Sequence, residues 1–321
     1  MLNLFITPKC SLKCDYCFVA DDFGGAPFDL TKTRFLELLA WLLSTKTQVV
    51  ALLGGEPTLH PELFYFLNAL YDQGVCPVVF TNGLFPKSYA EPLAKLTYRL
   101  VVNYNPPEVY RPGDLERRDQ NLGLLSDFGA KMAFSKNFAP SRLAYGYLIE
   151  GARRYGVTTI RYDLSRPKEG GRNDHFAGAA IRRAAGLLTQ FVKDAKKAGL
   201  TVGLDCCLPY CFFAPEDLAF LKEASEPFNG TCRPSLDILP DLSVIHCWPL
   251  KNLKVTSALE HDGELGLLER FATEALVYRQ MRRSLCPASC QTPPSVCQGG
   301  CLAEAEAAFE VSPEDFLAHV S

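Results

Sequence analysis

The sequence predicts an α/β protein in which a parallel sheet built from repeated strand–helix units is followed by a smaller cysteine-rich domain. Three observations predict it. Short β-type runs alternate with amphipathic stretches through the first 165 residues, nine of the 13 cysteines lie beyond residue 200, and that later segment is rich in turn formers and poor in continuous strand. A chain of 321 residues is long enough for one large domain plus a smaller one. The expected division is residues 1–200 and 201–321.

The β-type runs are residues 2–7, 49–53, 78–81, 100–104, 132–135 and 158–164, with helical patterns such as 34–43 and 63–71 between them. Gly74 and Gly156 punctuate helix ends. Six units of similar length imply parallel strands with right-handed crossovers, either curled towards a barrel or open and doubly wound. Residues 166–175 have no apolar periodicity and many turn formers, so they read as a loop, one suited to cover the mouth of a barrel. A helix is expected at 177–198 and another strand at 201–204.

The formal charge of −3 argues against broad, charge-driven binding of nucleic acid. No apolar stretch reaches the length of a membrane span, and the N-terminus has no basic region followed by a long apolar core. A cytoplasmic protein is expected. Without an export signal, clustered cysteines read as metal ligands rather than disulfides, which fits a reducing compartment. Cys76, alone before a strand, reads as a small buried residue.

Cys10, Cys14 and Cys17 form a C-x3-C-x2-C run close to the end of the first strand. A four-iron cluster normally takes four protein ligands, so three without a local fourth leave one iron open. Zinc would also need four ligands. Within the next fifty residues only His60 follows, and it reads as the cap of a helix beginning at Pro61. After the second run stands Gly54-Gly55-Glu56-Pro57, two glycines that permit close backbone approach and a carboxylate that accepts from a cation.

The cysteine run, with Tyr16 just before its third member, resembles the cluster-binding motif of the radical SAM superfamily, and Gly54 to Pro57 resembles that family's second motif. The resemblance implies that Cys10, Cys14 and Cys17 hold a 4Fe-4S cluster and that S-adenosylmethionine chelates the fourth iron. It implies that Gly54, Gly55, Glu56 and Pro57 receive the methionine amino group. The fold implied is a partial (β/α)6 TIM-like barrel, whose active site lies at the C-terminal strand ends. Polar residues stand there: Thr81 and Asn82, Asn103 and Asn105, Ser135 and Asn137, Arg161 and Asp163. Asn103, Ser135, Asn137 and Arg161 are favoured for the ribose hydroxyls and carboxylate of the cofactor; the alternative for each is a turn or capping role.

The later cysteines are Cys206, Cys207, Cys211, Cys232, Cys247, Cys286, Cys290, Cys297 and Cys301. The last four form C-x3-C-x6-C-x3-C, and Cys232 with Cys247 make a spaced pair. This resembles the SPASM and twitch extensions of radical SAM maturases, with one extra residue in each of the first two intervals and no cysteine after Cys301. One or two auxiliary 4Fe-4S clusters are implied. By order, Cys206 or Cys207 with Cys211, Cys232 and Cys247 would hold one, and Cys286, Cys290, Cys297 and Cys301 the other. In SPASM proteins the last cysteine of the run crosses to the first cluster, so Cys301 could do the same, leaving the second with an open iron or a ligand from the Cys206/Cys207 pair. A zinc ribbon built from the four late cysteines is the alternative.

The resemblance implies an oxidoreductase or maturase in which a 5′-deoxyadenosyl radical abstracts hydrogen from a peptide or protein side chain, with an external reductant of flavodoxin or ferredoxin type. Only nine residues precede the first ligand, so a peptide would need a separate recognition protein or direct capture by the barrel. Residues 208–215, rich in Phe and Pro, suit either an apolar groove or packing around a cluster. The rival enzyme reading is dehydrogenation or rearrangement of a sugar or other small metabolite. A non-enzymatic electron carrier would have no use for a cofactor amine site at Gly54 to Pro57.

Overall fold

The computed structural model describes residues 1–19, 28–168, 173–177 and 179–304. Strands β1 (Leu2–Thr7), β2 (Val49–Gly54), β3 (Cys76–Thr81), β4 (Arg99–Asn103), β5 (Met132–Phe138), β6 (Thr159–Leu164) and β7 (Thr201–Leu204) run parallel in sequence order. Helices α1 (Lys32–Ser44), α2 (Leu63–Asp72), α3 (Ala90–Leu96), α4 (Asp114–Asp127), α5 (Gly146–Arg154) and α6 (Ala179–Lys197) connect them. The arrangement is the parallel strand–helix array that the alternating pattern predicts and the TIM-like partial barrel that the resemblance implies, extended by β7 beyond the sixth unit.

The helices form where apolar residues recur at helical spacing. In α1 these are Phe35, Leu38, Leu39 and Leu42, and in α6 Ile181, Ala184, Ala185, Leu188, Val192 and Ala195, all buried. Thr31 starts α1 by accepting the Arg34 amide at 3.3 Å, a cap typically worth about 1 kcal/mol. The main core lies between this helical layer and the outward residues of the sheet, among them Leu2, Leu4, Ile6, Val79, Val102, Phe134 and Tyr162. Phe191 of α6 meets the rings of Phe138 and Tyr162, each at 5.3 Å. The opposite face of the sheet is the barrel interior, with Ala51, Val78 and Val101 packed together across β2, β3 and β4.

Beyond β7 the chain forms α7 (Pro215–Ala224), then β8 (Asp237–Ile238), β9 (Val244–Ile245) and β10 (Lys254–Val255), then α8 (Gly263–Glu274) and α9 (Leu276–Ser284). β8 returns to pair in parallel with β1, and β9 and β10 follow antiparallel, so the described strands make one sheet in the order β10-β9-β8-β1 to β7. Strands of two residues have too little pattern to be read from sequence.

Other details differ at element ends. α2 begins at Leu63 rather than Pro61, because the His60 ring accepts the Glu62 amide through Nδ1 at 3.0 Å and holds that turn outside the helix. β5 runs on to Phe138, pairing with β6 through Leu164. Of the loop expected at 166–175, residues 169–172 lie outside the described residues. Residues 208–215 pack: Leu208 and Phe213 are buried, and Tyr210 stacks on Phe228. Among the described residues no helix is long and apolar enough to cross a membrane.

Candidate functional site

The cysteine run leaves the C-terminal end of β1 and is held there by the end of β2. The Gly55 amide donates to the Thr7 carbonyl at 2.8 Å and the Glu56 amide to the Lys9 carbonyl at 2.7 Å. A Cβ on Gly54 would strike the Thr7 carbonyl oxygen, and one on Gly55 the Lys9 carbonyl oxygen. The two glycines therefore let β2 press against the backbone that leads into Cys10.

Glu56 is fully buried and gathers donors from two strand ends. Its Oε1 accepts from the Thr58 hydroxyl at 2.7 Å, the Thr81 hydroxyl at 2.8 Å and the Thr58 amide at 3.2 Å, while Oε2 accepts the Asn82 amide at 2.7 Å. Burial pushes its carboxyl above the usual range and these four donors oppose the shift. The remaining lone pair on Oε2 is compatible with one cationic donor. Asn82 also reaches the cysteine loop, its Nδ2 donating to Ser11 Oγ at 3.1 Å.

Within the loop the Cys17 amide donates to the Cys14 carbonyl at 3.0 Å, a tight turn that brings the third thiol back towards the second. The three thiols lie within electrostatic reach of one another, and burial pushes Cys14 up to about 12. Tyr16 is buried, and its hydroxyl lies within hydrogen-bonding reach of the Cys14 thiol. Its hydroxyl donates to Asn105 Oδ1 at 2.6 Å and accepts from Asn103 Nδ2 at 3.0 Å, so β4 fixes the loop from below. Two further ties come from distant segments: Arg142 Nη2 contacts both Asp15 oxygens at 2.6 and 2.7 Å, and Asn173 Nδ2 donates to the Tyr16 carbonyl at 3.1 Å.

Sheet register aligns the strand-end polar residues. Asn103 stands opposite Ser135, Ser135 opposite Arg161, and Asn137 opposite Asp163. With the strand period of two, these side chains share the interior face. The interior is thus apolar across β2 and β3 and polar from β4 onward. Arg161 Nε donates to Asp205 Oδ1 at 2.8 Å, and its guanidinium lies 4.9 Å from the Phe80 ring centre. Enclosure pushes the Asp205 carboxyl up to about 6, with Asp163 adding to the rise and Arg161 opposing it. Asn103 is already engaged by Tyr16; Ser135, Asn137 and Arg161 line the same wall.

The later thiols fall into two neighbourhoods. Cys207 is hydrogen-bonded to Cys232, and Cys247 and Cys301 lie within electrostatic reach of Cys232. Cys211 neighbours Cys297 and Cys290, and Cys286 neighbours all three. Residue order alone suggested otherwise: Cys301 stands with the first set and Cys211 with the second. Cys206 faces Asp163, Arg166 and Cys301. The hydrogen bond to Cys232 and then burial raise Cys207, and the same bond lowers Cys232 to about 7, while burial raises Cys247 and Cys301, the last to about 12. All 13 cysteines are free. Among the described residues no three Cys, His, Asp or Glu side chains converge tightly enough to enclose a single ion. Zinc requires all its sulfurs about 2.3 Å from one point, whereas the ligands of a four-iron cluster bind separate irons and stand further apart.

Sequence reasoning missed the parts that join these regions. Arg166 is buried, pairs with Asp163 at 2.9 Å and Glu304 at 3.2 Å, and donates to the Cys207 carbonyl at 3.2 Å. Glu304 also approaches Arg282 at 3.6 Å. The Arg142–Asp15 and Arg166–Glu304 contacts carry no local signal, since they span 127 and 138 residues, whereas the Arg166–Asp163 pair spans only three. Asp205 could have been found as the polar residue just past β7.

Comparison with known proteins agrees with this geometry. Residues 4–107 match the family model described as the radical SAM superfamily. An S-adenosylmethionine-dependent nucleotide dehydratase of Selenomonas ruminantium is 36% identical over 83 residues, 26% of this chain and 29% of that protein. A GTP 3′,8-cyclase of Staphylococcus saprophyticus is 32% identical over 102 residues, 29% of each. These matches span less than a third of the relatives. Among solved structures, Streptococcus suis SuiB bound to S-adenosylmethionine superposes with a TM-score of 0.66 at 20% identity, covering 98% of this chain and 75% of that one. The structure described as native anSMEcpe with bound AdoMet and Kp18Cys peptide gives 0.67 at 15% identity, covering 94% and 88%. Both share the fold along nearly the whole chain, cysteine-rich region included. The cysteine run, the glycine pair pressed against it and the match over residues 4–107 agree: the part of this chain from β1 to β4 is similar to the radical SAM superfamily.

Proposed function

We propose that the chain is a radical S-adenosylmethionine maturase acting on a peptide or protein side chain in the cytoplasm, with a barrel domain at 1–200 and an auxiliary-cluster domain at 201–321. The observation that carries the substrate class is likeness over almost the full length, barrel and cysteine-rich region together, to SuiB, which has been crystallised bound to its precursor peptide SuiA. The superfamily uses a 4Fe-4S cluster and S-adenosylmethionine, which together supply a 5′-deoxyadenosyl radical that abstracts a hydrogen atom. In this chain Cys10, Cys14 and Cys17 hold the cluster, and Tyr16 anchors their loop on Asn103 and Asn105. Glu56 offers Oε2 to the cofactor amine beside Gly54, Gly55 and Pro57. Ser135, Asn137 and Arg161 face the ribose and carboxylate, with Asn103 completing that wall through Tyr16. The apolar interior of β2 and β3 keeps water from the reacting carbon. The cysteines beyond residue 200 would hold auxiliary clusters, which would supply an acceptor for one electron. A flavodoxin or ferredoxin supplies the first electron, and a separate recognition protein presents the peptide.

A second reading has its own support. Two of the curated relatives, a nucleotide dehydratase and a GTP 3′,8-cyclase, act, by their names, on nucleotides, so a small nucleotide substrate is the competitor. Anaerobic turnover decides between them. Substrate-dependent 5′-deoxyadenosine with peptides encoded beside the gene, and none with nucleoside triphosphates, supports the maturase; the reverse result overturns it.

A further inference from the structure

We propose that Cys211 is the fourth thiolate of a second auxiliary cluster, completing Cys286, Cys290 and Cys297, so that this cluster has no iron open to substrate. The proposal rests on the reading that the thiols beyond residue 200 hold iron. Sequence order would place Cys211 with Cys207, four residues earlier, and would close the late run with Cys301. The path of the chain does the opposite.

Residues Tyr210–Phe212 form a single 3-10 turn after Pro209, so Cys211 lies within that turn and Cys207 before it. The Tyr210 ring lies against Gly230, where a Cβ would come within 2.8 Å of the ring. Gly230 in turn forms a parallel bridge with Cys297, and its carbonyl accepts the Gln298 amide at 2.8 Å. Tyr210, Gly230 and Cys297 are therefore contiguous, and the Cys211 thiol faces Cys297 and Cys290. Cys301, by contrast, is buried near Cys232 and Arg166. Removing Cys301 from the late run and adding Cys211 gives each neighbourhood four thiols: Cys207, Cys232, Cys247 and Cys301 in one, and Cys211, Cys286, Cys290 and Cys297 in the other.

Charge around the second set agrees. Arg283 Nη1 lies 3.9 Å from Cys286 Sγ and 3.7 Å from Cys290 Sγ, and donates to the Cys297 carbonyl at 3.3 Å; its Nη2 donates to the Thr292 carbonyl. Arg182 stands near Cys211. Two guanidinium groups around four thiols suit a cluster whose thiolate ligands leave it net negative, and N–H donors aimed at sulfur are one of the levers that set a cluster's potential. Gly299, at φ +85°, passes so close that a Cβ would stand 3.1 Å from Cys286 Sγ. With four protein thiolates the cluster can carry electrons but cannot chelate a substrate.

The test uses the full chain, reconstituted anaerobically and treated with iodoacetamide before and after chelation of its iron, with each cysteine read by mass spectrometry. Cys211 is exposed at the chain surface. It should label at least about tenfold more slowly in the loaded protein, because a thiolate bound to iron is not a free nucleophile. Equal labelling in both states, while Cys286, Cys290 and Cys297 remain protected, overturns the proposal. Labelling of all four in iron-loaded protein instead overturns the auxiliary-cluster reading beneath it. In a Cys211→Ala variant, Mössbauer spectra should lose or differentiate one iron of one cluster and leave the other signals in place. An unchanged spectrum also refutes the assignment.

Discussion

Cys10, Cys14 and Cys17 come from eight consecutive residues of one loop, whereas the thiols that meet around Cys232 come from residues 207, 247 and 301. The first site brings its own thiols and borrows its position: Glu56 and Asn82 from the ends of β2 and β3, Asn103 and Asn105 from β4, and Arg142 from beyond β5 clamp a loop whose spacing is already set. The second region borrows the thiols themselves, through the return of β8 to β1 and the part-buried Arg166–Glu304 contact. A local site should tolerate distant damage and fail when its own residues change. A site assembled by tertiary structure should be sensitive to changes that touch no ligand.

The largest expected effect separates the two regions outright. Replacing Cys10, Cys14 and Cys17 together with Ala should abolish 5′-deoxyadenosine formation while leaving iron in the C-terminal region. Measurable turnover by the triple variant would remove the first site from the chemistry. Loss of all iron would show that the regions are not independent.

Arg166→Ala tests the opposite dependence. It leaves Asp163 a buried charge without its partner, which typically costs about 3–5 kcal/mol, while Glu304 keeps Arg282. The denaturant midpoint should fall accordingly, and the auxiliary signals should broaden or weaken while S-adenosylmethionine binding at the first site persists. Selective damage to the first site would reverse the comparison.

Glu56→Ala removes a carboxylate that ties β2 to β3 and offers one free lone pair. A charge-assisted hydrogen bond is worth about 1.5–3 kcal/mol, so cofactor affinity measured by calorimetry should fall about tenfold or more, with the auxiliary clusters untouched. Unchanged affinity would mean that Glu56 acts only between strands.

Asp15→Asn should do least. The Asp15–Arg142 pair is bidentate, but the aspartate is about half exposed. Its expected worth is about 0–1 kcal/mol, seen as a small, salt-dependent rise in proteolysis of the cysteine loop. A loss comparable to Arg166→Ala would mark this surface pair as essential to the loop.

The parallel strands, most of their boundaries and the grouping of Cys10, Cys14 and Cys17 in one loop were legible in the residues, because each rests on short-range pattern. Leu2, Leu4 and Ile6 announce a strand by alternation, and the cysteine spacing travels with the loop wherever it folds. The transfer of Cys211 away from Cys207, the two-residue strands β8 to β10, and the contacts of Arg142 with Asp15 and of Arg166 with Glu304 were decided only by tertiary structure; for Cys301, order pointed to Cys297 while the resemblance allowed the crossing towards Cys232 that the fold has. Each depends on contacts across tens to hundreds of residues, for which adjacent side chains carry no signal. Sequence alone determined that three thiols would stand together beside a glycine pair; only the folded sheet decided what holds them and which distant thiols meet.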